Sequence, residues 1–89
     1  PAEAESHSRG QAWRLSGAGS VYLACGDYEA PHRYFSKALD LRKIARDRRG
    51  EGVAYSDLGN VTLAKGDVTL ASSLLRESVL MLQDLGARR

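Results

Sequence analysis

The chain has 89 residues, 43% of them hydrophobic and 27% charged, and a formal net charge of +2. That is enough for one small globular domain, and the apolar share excludes a disordered tail. No apolar run approaches the ~20 residues of a membrane-spanning helix, and the opening PAEAESHSRG lacks the basic-then-apolar order of a signal peptide.

Shifted by forty residues, the chain matches itself. Gly10 meets Gly50, Gly19 meets Gly59, Leu23-Ala24 meets Leu63-Ala64, and Gly26-Asp27 meets Gly66-Asp67. Phe35 meets Leu75, and Leu39 meets Val79. Three glycine pairs in one register point to two units of helix–turn–helix. By phase, residues 1–9 read as the tail of a preceding repeat or a linker. Repeat 1 takes 10–47, with helices over about 10–25 and 28–46, and repeat 2 takes 48–89, with helices over about 50–65 and 68–85. Ala87-Arg88-Arg89 stands where a third unit would open.

In chain order, Ser8 and Gln11 have the spacing of a capping box at the start of the first helix. Ala12, Leu15, Ala18, Gly19 and Tyr22 then recur at helical steps. Cys25, alone in the chain and so unable to form an internal disulfide, fits a reducing, cytoplasmic setting, and within VYLAC it reads as a small buried hydrophobe. Gly26 ends the first helix and Asp27 caps the second. Pro31 then either delays that helix or distorts it. Tyr22, Tyr28 and Phe35 are spaced as core residues. The third helix presents Leu58, Gly59 and Thr62, and Gly66-Asp67 repeats the turn. The fourth presents Leu74-Leu75, Ser78, Met81-Leu82 and Leu85, with Gly86 at its end.

Gly19 and Gly59 fall inside helices, where glycine costs about 1 kcal/mol against alanine. A close approach of helices must offset that cost, and Phe35 and Leu75 are the residues placed to fill the space. Arg42, Lys43, Arg46, Arg48 and Arg49 cluster where the second helix should end, so they read as solvated cations at the negative pole of a helix dipole rather than as a phosphate-binding stripe.

These residues resemble the tetratricopeptide repeat: Gly19, Tyr22, Gly26-Asp27-Tyr28, Phe35 and Ala38-Leu39 in the first unit, and Leu58-Gly59, Gly66-Asp67, Ala71, Leu75 and Ser78 in the second. The resemblance runs from Gly10 to Leu85. It implies an all-α fold, a TPR-like α-α superhelix of two helix–turn–helix repeats and four main helices, as a fragment of a longer solenoid. The usual period is about 34 residues, and the extra six here fall at the junction Ile44 to Gly50. Such long repeats resemble those of bacterial signalling and regulatory proteins. Thr62 and Ser78 depart from the family's aromatic and alanine, so the second unit is expected to pack less tightly.

No catalytic constellation is legible, and no enzyme activity is expected. His7, in a frayed end, and the exposed His32 do not combine with Cys25 at metal-ligand spacing. No cofactor is expected. The resemblance places the groove on the first helix of each pair, at Trp13, Ser16, Ser20, Leu23, Ser56, Asn60 and Leu63. Asn60 is the leading candidate, since a side-chain amide both donates and accepts toward an extended backbone. Trp13 reads either as an interaction anchor or as cover for a preceding unit. The expected function is a protein-interaction scaffold that binds a peptide or protein segment, with neither nucleic acid nor membrane as partner. The alternative is a regulatory or spacer segment of a bacterial signalling ATPase or transcription regulator, packed on its own neighbouring domains, which would be indifferent to Asn60 and Ser56. Leucine and methionine in the last helix, beyond what one unit buries, predict self-association, as a homodimer or by end-to-end stacking.

Overall fold

The computed structural model describes residues 2–87. Four helices follow one another, α1 (Ala2–Ala24), α2 (Glu29–Ile44), α3 (Arg48–Ala64) and α4 (Val68–Ala87), with no strand among the described residues. They form two helix–turn–helix units, α1–α2 and α3–α4, and each helix packs on its neighbours in the chain. The Cα envelope measures 38 × 27 × 15 Å.

All three turns are built alike. Gly26 (φ 86°) donates to the carbonyl of Leu23 at 3.0 Å, and Asp27 N–H reaches back to Tyr22 at 3.1 Å. Arg46 (φ 56°) donates to Lys43 at 3.1 Å, with Asp47 N–H on Arg42 at 2.9 Å. Gly66 (φ 95°) donates to Leu63 at 2.9 Å, with Asp67 N–H on Thr62 at 3.1 Å. A left-handed residue thus satisfies the last carbonyls of each helix. The following aspartate caps the next helix: Asp27 Oδ1 accepts from Glu29 (3.1 Å) and Ala30 (3.3 Å), Asp47 from Gly50 (3.0 Å) and Asp67 from Leu70 (3.1 Å). The junction between units is therefore the same short turn as the hairpins within them, and the extra residues of the long repeat extend the helices around it.

Glycine sets the contact within each unit. A Cβ on Gly19 would lie 2.8 Å from Phe35 Cε1, and one on Gly59 would lie 2.7 Å from Leu75 Cδ2 and Cγ. The second-helix residues expected to fill these gaps do so. Between the units, Phe35 and Leu39 of α2 meet Ala54, Leu58 and Val61 of α3, with Leu23, Tyr55 and Leu74 packed at the edge. Thr62 and Ser78 leave no stranded hydroxyl: Thr62 donates to Leu58 O at 2.6 Å and Ser78 to Gly52 O at 2.7 Å, both buried.

Several expectations are corrected. α1 begins at Ala2 and runs unbroken through Gly10, because the Ala/Glu-rich start is itself helix-forming; Ser8 lies buried inside it, so Ser8 and Gln11 form no capping box there. His7 is an exposed helical residue rather than a frayed one, and His32 is half-buried. Cys25 is exposed, since it stands one residue beyond α1, in the turn. Tyr22 and Tyr28 are 43% and 40% exposed, Tyr22 stacking on Tyr34 with centroids 5.6 Å apart, while Phe35 alone of the three is core. Pro31 sits in the first turn of α2, where its missing N–H has no intrahelical acceptor to lose, so the later start resolves it. Gly86 lies within α4. The third-unit reading of Ala87-Arg88-Arg89 falls mostly outside the described residues.

Candidate binding face on α1 and α3

The basic cluster does not behave as one. Arg48 and Arg49 open α3 and are exposed, at the positive pole of its dipole. Arg42 is not a solvated helix end: it is 1% exposed, the largest fully buried side chain among the described residues. Its Nη1 donates to the carbonyl of Gly50 at 3.1 Å, tying α2 to the first turn of α3. Its guanidinium lies 5.3 Å from the ring centroid of Trp13 on α1, within cation–π range. Nε and Nη2 find no hydrogen-bond partner among the described residues. Burial lowers the pKa of Arg42 from the usual guanidinium value, and the charges of Asp57 and Asp47 partly offset this. Asp57 on α3 is its electrostatic counterpart: burial raises its carboxyl above the usual range, and Arg42 pulls it back.

Of the residues read from the sequence as groove candidates, Trp13 meets this charge directly. Trp13 is 62% exposed although one face of its ring meets Arg42. Ser20 and Asn60, equivalent in the forty-residue register, are both exposed. Their neighbours one turn earlier differ: Ser16 is buried with an unpartnered hydroxyl, and Ser56 is half-buried. Leu63 is 49% exposed, whereas its counterpart Leu23 packs against the core between the units. Trp13, Ser20 and Asn60 thus remain as solvent-facing residues, with Ser16 withdrawn. Sequence reasoning missed Arg42 and Asp57. The one available signal was their helical phase, since Arg42 falls one turn after Ala38 and Leu39 on a buried face.

Among the described residues, no cluster of three or more His, Cys, Asp or Glu side chains is placed to hold a metal ion, and no helix is long and apolar enough to cross a membrane. Comparison with known protein families, curated proteins and solved structures finds no match.

Proposed function

We propose that the chain is a protein-interaction module, two repeats of the tetratricopeptide type, acting in the cytoplasm and holding an extended peptide segment on a face built from α1 and α3. The observation that carries this is Trp13: a large aromatic, mostly open to solvent, braced from below by a buried arginine. An exposed tryptophan that gives up little further freedom on binding is a suitable anchor for a partner chain. Ser20 and Asn60 supply hydroxyl and amide groups for a bound backbone. The matching contacts Gly19–Phe35 and Gly59–Leu75, with the three matching turns, support the repeat reading.

The test is selection from a random twelve-residue peptide display library on the immobilised protein. Wild type and a Ser73→Ala control, at an exposed position on α4, should enrich the same sequences, and Trp13→Ser and Asn60→Ala should each weaken them at least tenfold. Failure to enrich any sequence, or equal binding by all four proteins, would sink the reading.

A further inference from the structure

The contact between the two units has two halves, and each half occurs a second time without its partner. On α3 the covered half is Ala54, Leu58 and Val61, at 1%, 6% and 0% exposure. Forty residues earlier, α1 carries Arg14, Ala18 and Val21, and Val21 is 64% exposed. On α2 the covering residue is Leu39, 9% exposed; forty residues later α4 carries Val79, 53% exposed. Leu23, packed at the edge of the inter-unit core, corresponds to the half-exposed Leu63. Three residues that the junction covers, Leu39, Val61 and Leu23, therefore have exposed apolar counterparts, Val79, Val21 and Leu63.

A groove of about 270 Å³ lies on the α1 side, lined by Gln11, Arg14, Leu15, Lys37 and Leu41. Shifted by forty, these positions are Glu51, Ala54, Tyr55, Glu77 and Met81. Ala54 and Tyr55 belong to the seat on which Leu39 rests. The groove is the vacant form of that seat.

We infer that the face of one copy formed by Val79 on α4 and Leu63 at the end of α3 docks on the α1 face of a second copy, centred on Ala18 and Val21, repeating the α2–α3 contact between molecules. The occupant is a second copy because α4 carries the covering residues in the register in which α2 already presents them. Arg42 has Leu82 as its counterpart on α4, which removes that buried guanidinium; Arg14, which stands on α1 where α3 has Ala54, lays its stem along the contact and keeps its charge at the solvent edge. The contact is heterologous, head to tail, and builds open chains or closed rings rather than a two-fold dimer. Its central residues, Val79 and Val21, are not those of the proposed peptide face, and its test reads mass rather than peptide binding, so failure of one is distinguishable from failure of the other.

Sedimentation equilibrium of the whole chain from 5 to 500 µM tests it. Wild type should show a weight-average mass that rises with concentration well above one chain. Val79→Asp and Val21→Asp, both at exposed positions and both checked for retained helicity by circular dichroism, should each remain at the mass of one chain. Mixed in equal amounts, they should form a one-to-one complex, because the intact α4 face of Val21→Asp meets the intact α1 face of Val79→Asp. Monomeric wild type at 500 µM overturns the inference. So does self-association of Val21→Asp at wild-type strength, which would mark a two-fold α4 contact, or a mixture that stays monomeric.

Discussion

Arg42 Nη1 holds the carbonyl of Gly50 at 3.1 Å, joining the last turn of one repeat to the first turn of the next through a fully buried guanidinium. The second unit places Leu82 at the same register position, so the site also accepts an apolar side chain. Burial of a charge with two unpartnered nitrogens gains little, and the long stem supplies most of the packing. Arg42→Met should therefore change the unfolding free energy by about 1 kcal/mol or less, whereas Arg42→Ala should cost about 2–4 kcal/mol through the space it leaves. Urea unfolding midpoints distinguish them, and equal losses would show that the charge rather than the stem holds the junction. In both variants the emission maximum of Trp13 should move, since its ring loses the cation beneath it.

The glycines inside helices divide by what a methyl group would meet. At Gly59 it would strike Leu75 at Cγ and Cδ2, both 2.7 Å away, and would stand 3.4 Å from the backbone nitrogen of Leu75; at Gly17 it meets nothing within 4 Å. Gly59→Ala should destabilise by about 1–3 kcal/mol despite its better helix propensity, and Gly17→Ala should stabilise by about 0.5–1 kcal/mol. A double-mutant cycle with Leu75→Ala should show the Gly59→Ala penalty shrinking. A penalty unchanged by Leu75→Ala would place the clash elsewhere.

The glycine register was legible because each glycine imposes a demand that another residue must meet: Gly19 and Gly59 need a large neighbour across the hairpin, and Gly26 and Gly66 a left-handed turn with a capping aspartate. What lacked a glycine was harder to read. The turn between the units gives its left-handed position to Arg46, so the sequence carries no glycine to mark Asp47 as a cap or Arg48-Arg49 as a helix start. The start of α1 has no breaker to mark it. Arg42 carries the same local signal whether solvated or buried, and only the arrival of α3 over it decides. Among the candidate site residues, helical phase anticipates the exposure of Trp13, Ser20 and Asn60, but Ser16 is buried and Leu63 matches a residue of the inter-unit core.

The shared turn geometry makes Arg46 a point of strain. A non-glycine residue at φ 56° bears a penalty of about 1–2 kcal/mol, partly offset because glycine would loosen the unfolded chain. Arg46→Gly should therefore stabilise by roughly 0.5–1 kcal/mol, and Gly66→Ala, imposing the reverse change at φ 95°, should destabilise by about 1 kcal/mol. Thermal unfolding of the two variants checks both signs, and a loss in Arg46→Gly would reveal a side-chain role for Arg46 larger than its backbone cost.

Asp57 gives the fold a pH dependence of definite sign. Its carboxyl titrates above its ordinary 3.8 because burial disfavours the charged form more than Arg42 favours it. A raised acid pKa means the folded chain holds this proton more tightly than the unfolded chain. The stability it contributes is complete below the unfolded value and is lost as pH rises through the folded one. Asp57→Asn mimics the protonated side chain and escapes that loss. The melting temperature of Asp57→Asn relative to wild type should therefore be higher at pH 7 than at pH 3, the other carboxylates being common to both proteins. In an Arg42→Met background the gap at pH 7 should widen, because the charge that pulls the Asp57 carboxyl back down has gone. A difference that stays flat between pH 3 and pH 7, or that narrows when Arg42 is replaced, would show that water rather than protein surrounds the ionised carboxylate.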